Sequence, residues 1–313
     1  MQGKSGIYKF IMNQRLVIIV LVLIIVLSIV RPAFLRINNL RNLLLHISTN
    51  GIMAIGMTIV LISGAFDLSI GSVMSLSGII AIMLLPYLGL VFSILVASIG
   101  GAFCGFFNGI IITKGKVNPF IATLGTMVLI KGLCLAMTNS EPISPDSDVF
   151  GVIGWGEISG IPNPVIFLVM ISIAAWFILK YTNMGRNIYS IGGNEFSCRL
   201  AGINVNKYKV IYFTFCSFLA ALAGIIVSSR ANIGSAVLGD NAPLIIIALV
   251  VLGGTSLYGG RGTIFGTILG LLIFGLIDNG MVLLGIYSYY QFIVRGTIIL
   301  FVILADTLIG ERR

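Results

Sequence analysis

The chain has 313 residues, 58% of them hydrophobic and 9% charged, with a formal net charge of +9. Ordinary soluble domains carry roughly a quarter charged residues, so this composition cannot make a water-facing surface, and the solvent is lipid. No polar stretch is long enough for a separate soluble catalytic domain, which leaves one transmembrane domain over 1–313.

A bilayer crossing needs about 20 mostly apolar residues in a helix, and such segments follow one another along the chain. The first, 16–30, comes after Lys4, Lys9 and Arg15. That basic opening resembles the start of a secretory signal, but no small-residue cleavage site follows, so the segment reads as an uncleaved first helix. Arg31 to Arg41 comes next. Phe34, Ile37, Leu40 and Leu44 recur there at helical spacing, which predicts an interfacial amphipathic stretch. Further apolar segments lie at 43–63, 69–85, 88–112, 117–137, 164–179, 210–228, 243–254, 263–277 and 289–305. The expectation is an all-α, polytopic transmembrane helical bundle of about ten spans, with broken or re-entrant segments. Its 38 glycines suit close helix packing in lipid. Asp278 and Asn279 fall at an apparent turn, and Arg295 and Asp306 flank the last span.

Lysine and arginine in short loops set orientation. The loop about 181–209, with Lys180 at its edge, holds Arg186, Arg199, Lys207 and Lys209 against Glu195 alone, and is expected in the cytoplasm. The loop about 138–163 has Glu141, Asp146, Asp148 and Glu157 and no basic residue, and is expected outside. Ten spans threaded through these assignments put both termini in the cytoplasm, in keeping with Arg312 and Arg313. Arg31, Arg36 and Arg41 then fall outside, against the rule.

Polar residues at membrane depth are costly and mark function by default. Asp67 stands in Ser63-Gly64-Ala65-Phe66-Asp67-Leu68-Ser69-Ile70-Gly71 between two apolar runs. This reads either as a broken helix whose freed backbone lines protein or a watery cavity, or as an aqueous turn in which Asp67 caps the helix from Leu68 onward. Leu252 to Gly262 has five glycines in eleven residues. Glycine-rich loops can cradle phosphate, but the Gly-Lys-Ser/Thr ending of a nucleotide-binding loop is missing. A re-entrant loop anchored by Arg261 is the expectation. Cys104, Cys134, Cys198 and Cys216 sit singly, indicating neither a disulfide framework nor a zinc site. Lys131 can snorkel to the interface, and the lone His46 has no acidic neighbours in sequence. With no nucleophile and base, metal cluster or carboxylate pair, an enzyme is not indicated, and no cofactor is expected in this chain.

The basic loop carries a further local pattern. Ile191 to Asn204 predicts a short amphipathic helix capped by Asn194 and ended by Gly202. Phe196, Leu200 and Ile203 would share one face, which needs a partner surface, the membrane, or the protein's own underside to cover it.

These residues carry a resemblance. With Asn118-Pro119-Phe120-Ile121-Ala122-Thr123-Leu124-Gly125, Gly185 to Asn194, Ala201-Gly202-Ile203, Ser63 to Gly71 and Leu252 to Gly262, the chain resembles the ribose, galactose and autoinducer type of bacterial sugar importer permeases, related to the branched-chain amino-acid permeases. It departs from that pattern at Pro243 to Leu249, where an aromatic residue, a Glu and a Leu are usual. The resemblance implies the permease subunit of an ATP-binding-cassette importer in the bacterial inner membrane. It implies a second permease copy, homodimer or close paralogue, a cytoplasmic ATPase, an extracytoplasmic substrate-binding protein and surrounding lipid, and no nucleic acid. It also implies coupling to the ATPase through Glu195, Phe196, Arg199, Leu200, Ala201, Gly202 and Ile203. The translocation path or gate is then expected at Asp67, Ser69, Asn118, Pro119, Phe120, Thr123, Gly253, Gly254, Thr255 and Ser256. Such a permease moves a sugar or similar polar solute by alternating access. The rival is an ion-coupled secondary transporter, for which Asp67 is the main coupling carboxylate; a passive channel or scaffold leaves the apolar stripe unexplained.

Overall fold

The computed structural model describes the backbone of residues 3–310 and, apart from Ala305, the side chains of 14–307. The side chains of Lys4 and Lys9, together with Arg312 and Arg313, lie outside the described residues. The first helix, α1 (Gly3–Val30), is longer than the apolar run because it extends back through the basic opening rather than forward. A 3-10 turn at Pro32–Leu35 leads into α2 (Ile37–Ile62). The amphipathic stretch expected here does not form as one face: Phe34 is buried, whereas Ile37 and Leu44 are exposed.

The core is α2 itself. In its most apolar stretch 89% of the residues are buried, against 28% in α4 (Pro119–Thr138) and 22% in α6 (Asn163–Tyr181). A helix hydrophobic all round belongs inside the bundle, and α2 is surrounded by α6, α9 (Val205–Ala231), α10 (Ala242–Leu252) and α11 (Ile264–Leu283).

Helix α3 (Ile70–Lys114) is continuous in hydrogen bonding but not in direction. Gly89 adopts φ 70° and ψ 176°, a conformation open to glycine at little cost, just after Pro86. The chain folds back on itself there: Gly101 lies against Ser77 and Val73, and Asn108 reaches Ser69. The segments 69–85 and 88–112 are thus two antiparallel arms. Close approach elsewhere also rests on glycine, for a Cβ on Gly105 would sit 2.2 Å from the Phe213 carbonyl oxygen and one on Gly224 2.0 Å from that of Met74, leaving no room for a side chain between α3 and α9.

Among the described residues six helices are long and apolar enough to cross a membrane, and the apolar stretches Gln14–Val30, Ala242–Leu252 and Ser288–Leu304 are shorter. Every apolar segment read from the sequence coincides with a helix or an arm of α3, and the last is α12 (Ser288–Gly310). The chain is an all-α polytopic membrane protein. Asp278 and Asn279 are not at a turn: both lie within α11, and Arg295 lies within α12 instead of flanking it. The helix survives these polar residues because each finds a partner, Asp278 at Arg295 Nε (2.9 Å) and Asn279 at Asn39 (2.9 and 3.1 Å).

The acidic loop holds α5 (Gly151–Trp155) and a two-residue hairpin of β1 (Glu157–Ile158) and β2 (Ile161–Pro162). Ser159 and Gly160 both take positive φ, as a type I′ turn requires. Phe150, fully buried, anchors the loop. Glu157 pairs with Arg41, so part of the basic segment that defied the orientation rule is neutralised by the acidic loop on the same face.

Candidate functional site

The basic loop forms the expected short helix, α8 (Glu195–Leu200), and a further one ahead of it, α7 (Asn183–Gly193). Asn194 caps α8 by accepting from Ser197 N at 2.9 Å. At the other end Gly202 N bonds the Arg199 carbonyl (3.1 Å) and Ile203 N that of Cys198 (3.0 Å), with Gly202 at φ 81°. This is a Schellman end. It turns Ile203 back into the core, so the expected stripe loses one member, and only Phe196 and Leu200, 71% and 75% exposed, remain facing out. The buried Cys198 seats the opposite face. Glu195 accepts from Arg199 (2.8 Å) and Lys209 (2.6 Å), and Arg199 also donates to Asn206 (2.8 Å). Partial burial raises the Glu195 carboxyl, but the bonds from Lys209 and Arg199 outweigh it and hold the group below its ordinary value. The helix is therefore fixed from beneath while its apolar side is bare.

Behind α8 the backbone makes a clasp of three segments. Gly192 presses against Ile62 and Gly260: a Cβ there would lie 1.8 Å from the Ile62 carbonyl oxygen. Gly260 N donates to that same oxygen (2.8 Å), Gly259 packs on Gly64, and Tyr189 Oη donates to the Gly262 carbonyl (2.8 Å). Leu257 N donates to Asp306 Oδ2 (3.0 Å), tying α12 to the same loop. The ends of α7, α2 and the glycine-rich loop thus meet mainly through backbone, at separations that leave little slack to absorb a displacement. In that loop Gly253 is packed on Gly266, Gly254 takes φ 92°, Ser256 Oγ accepts from Tyr258 N (3.2 Å), and the fully buried Thr255 hydroxyl has no partner among the described residues.

Asp67 lies beyond the clasp. It is fully buried, although Gly64 in the same turn is exposed. Its Oδ1 accepts from Ser69 N (2.9 Å) and Ser69 Oγ (2.6 Å), and its Oδ2 from Ser217 Oγ (3.3 Å). Asn108 Nδ2 donates to Ser69 Oγ (2.9 Å), and the Thr126 hydroxyl lies 2.5 Å from Asn108 Oδ1. One carboxylate thereby holds the start of α3, its second arm, α4 and α9 together. The Asn118 motif stands apart from this knot. Asn118 caps α4 by accepting from Phe120 N (2.9 Å), Pro119 takes the first turn, Phe120 is exposed, and the Thr123 hydroxyl is spent on the Pro119 carbonyl (2.8 Å). Missed in the sequence were the partners of Asp67, since Asn108, Thr126 and Ser217 lie singly in apolar runs with no local signal. Lys131 is paired with Asp240 (2.7 and 2.8 Å).

A bundle of membrane-length helices with an irregular polar interior is a multi-pass membrane protein. The chain belongs to the family of branched-chain amino acid transport system permease components, whose model matches residues 39–303. It is 44% identical to the ribose import permease protein RbsC of Escherichia coli strain K12, over 95% of this chain and 94% of that protein. It is 43% identical to the protein of the same name from Bacillus subtilis strain 168, over 91% and 89%. With the xylose transport system permease protein XylH of Haemophilus influenzae it shares 34% over 88% and 90%. No solved structure matches it. It is a permease subunit of the sugar ABC importer kind that its motifs resemble.

Proposed function

We propose that this chain carries a pentose, ribose first, across the bacterial inner membrane by alternating access driven by a separate ATPase. The solute follows from the two ribose permease relatives above 40% identity. Ten crossings are reached by taking each arm of α3 and the shorter apolar helices α1, α10 and α12 as one each, and the excess of lysine and arginine in the α7–α8 loop supports reading α8 and both termini as cytoplasmic and the acidic loop as outside.

The carrying observation is α8: Phe196 and Leu200 are bare on a helix that Glu195, Lys209 and the Schellman turn hold rigid. Such a pair needs covering, and a groove on a cytoplasmic ATPase covers it. Closure of two ATPases would push two copies of α8, and the glycine clasp would pass the displacement to the α2–α3 turn and to Gly253, Gly254, Thr255 and Ser256. The two halves then rock about a central path. A second permease copy completes that path, a substrate-binding protein delivers sugar to the outer face, and lipid covers the exposed apolar helices.

The test is ribose uptake into proteoliposomes holding this chain and its host's ATPase, with the binding protein outside. Uptake that needs ATP inside is expected. Uptake without ATP, driven by a proton or sodium gradient, would overturn the reading in favour of an ion-coupled carrier.

A further inference from the structure

We propose that a second polar island, an open cavity lined from α2, α3, α9, α10, α11, α12 and the segment before α10, is a sugar-contacting site within the permease; this rests on the importer reading above. The cavity is about 260 Å³ and is lined by His46, Asn50, Arg230, Asn241, Asp278 and Arg295 among others. Arg230 stands over the Trp155 ring, 5.4 Å from its centroid, which puts the cavity at the end of the bundle that carries the acidic loop.

Polar groups are kept at membrane depth where they line a watery path. Here the two arginines, one carboxylate, two carboxamides and an imidazole offer donors and acceptors in every direction. Asp278 and Arg295 bond each other (2.9 Å) and are close to neutral as a pair. The buried Arg230 Nε has no partner among the described residues, nor does either carboxamide bond the protein there. Those unused groups suit a neutral solute rich in hydroxyls. At about 260 Å³ the space lies just under the usual range of small-ligand pockets, roughly 300–1,000 Å³, and suits a monosaccharide better than an oligosaccharide. Asn50 on α2 and Asn241, the residue before α10, both line it, so movement of α10 against α2 would change the space between them.

Two measurements on the complete transporter test this. The first compares sugar imported per ATP hydrolysed in Asn50→Leu and Asn241→Leu with the unsubstituted complex. A fall of several-fold, up to about tenfold, is expected, the cost of one lost hydrogen bond to the solute; an unchanged ratio overturns the proposal. The second keeps the question open to a decision if leucine disturbs packing. In Asn50→Cys, labelling by a small water-soluble thiol reagent, above the background of the unsubstituted chain, should slow in excess ribose and not in excess sucrose. Labelling that neither sugar slows, or that inorganic phosphate slows instead, overturns the neutral-sugar site. If the unsubstituted complex moves no sugar with ATP yet ribose still protects the thiol, the importer reading fails and the site stands. ATP-driven uptake without protection gives the reverse.

Discussion

The two acids inside the bundle are built in opposite ways. Asp67 is closed off, with Ser69, Ser217, Asn108 and Thr126 filling the space around it and its oxygens bonded to hydroxyl and backbone groups. Asp278 has an arginine on one side and an open cavity on the other. An intramembrane carboxylate is thus a joint or a binding group according to the room left beside it. Asp67 joins four segments next to the clasp, whereas Asp278 keeps Arg295 in place on the wall of a space large enough for a solute.

The largest effect should come from Arg295→Leu. It leaves the largely buried Asp278 carboxylate without its ion partner, at a cost on the order of 3–5 kcal/mol, read as a lowered unfolding midpoint of the detergent-solubilised protein. The double change with Asp278→Leu should recover much of that loss, and a double variant as unstable as the single would mean that the pair is not the reason. Asp67→Ala comes next, leaving Ser69 N without its acceptor in a dry site for about 1–3 kcal/mol. Asp67→Asn keeps an acceptor for Ser69 and should stay within about 1 kcal/mol of the parent, with uptake retained. Uptake lost at normal stability and expression would instead make the charge of Asp67 part of the transport cycle.

The smallest effect separates the loop from both interior acids. Because Glu195 is held below its ordinary value, its contribution is fully present above about pH 4.3, the unfolded value, and is lost as pH falls through the folded value. The group is 40% exposed, so solvent screening keeps the contribution small. Glu195→Gln should flatten that part of the acid decline in thermal midpoint, and an unaltered profile would place the ion pairs outside the stability of the loop.

What the sequence disclosed was what a local pattern can carry. Ten apolar runs, the break near 86–89 and the caps Asn194 and Gly202 are properties of neighbouring residues, and each stands where expected. Ile203 misled because helical spacing was carried past Gly202, where the Schellman turn changes its direction. Asp278 with Asn279 passed for a turn because their partners, Arg295 and Asn39, lie elsewhere in the chain. The cavity was illegible for the same reason: its polar residues stretch from His46 to Arg295 and become a site only when six helices pack.

The central claim is that α8 is where a motor docks. Its most direct test is a detergent pull-down of the tagged chain from its host, beside Phe196→Asp and Leu200→Asp. The account predicts a cytoplasmic ATPase retained by the parent and lost by both variants, which should fold and insert as before because both side chains are already exposed. An ATPase retained undiminished by both variants would contradict it.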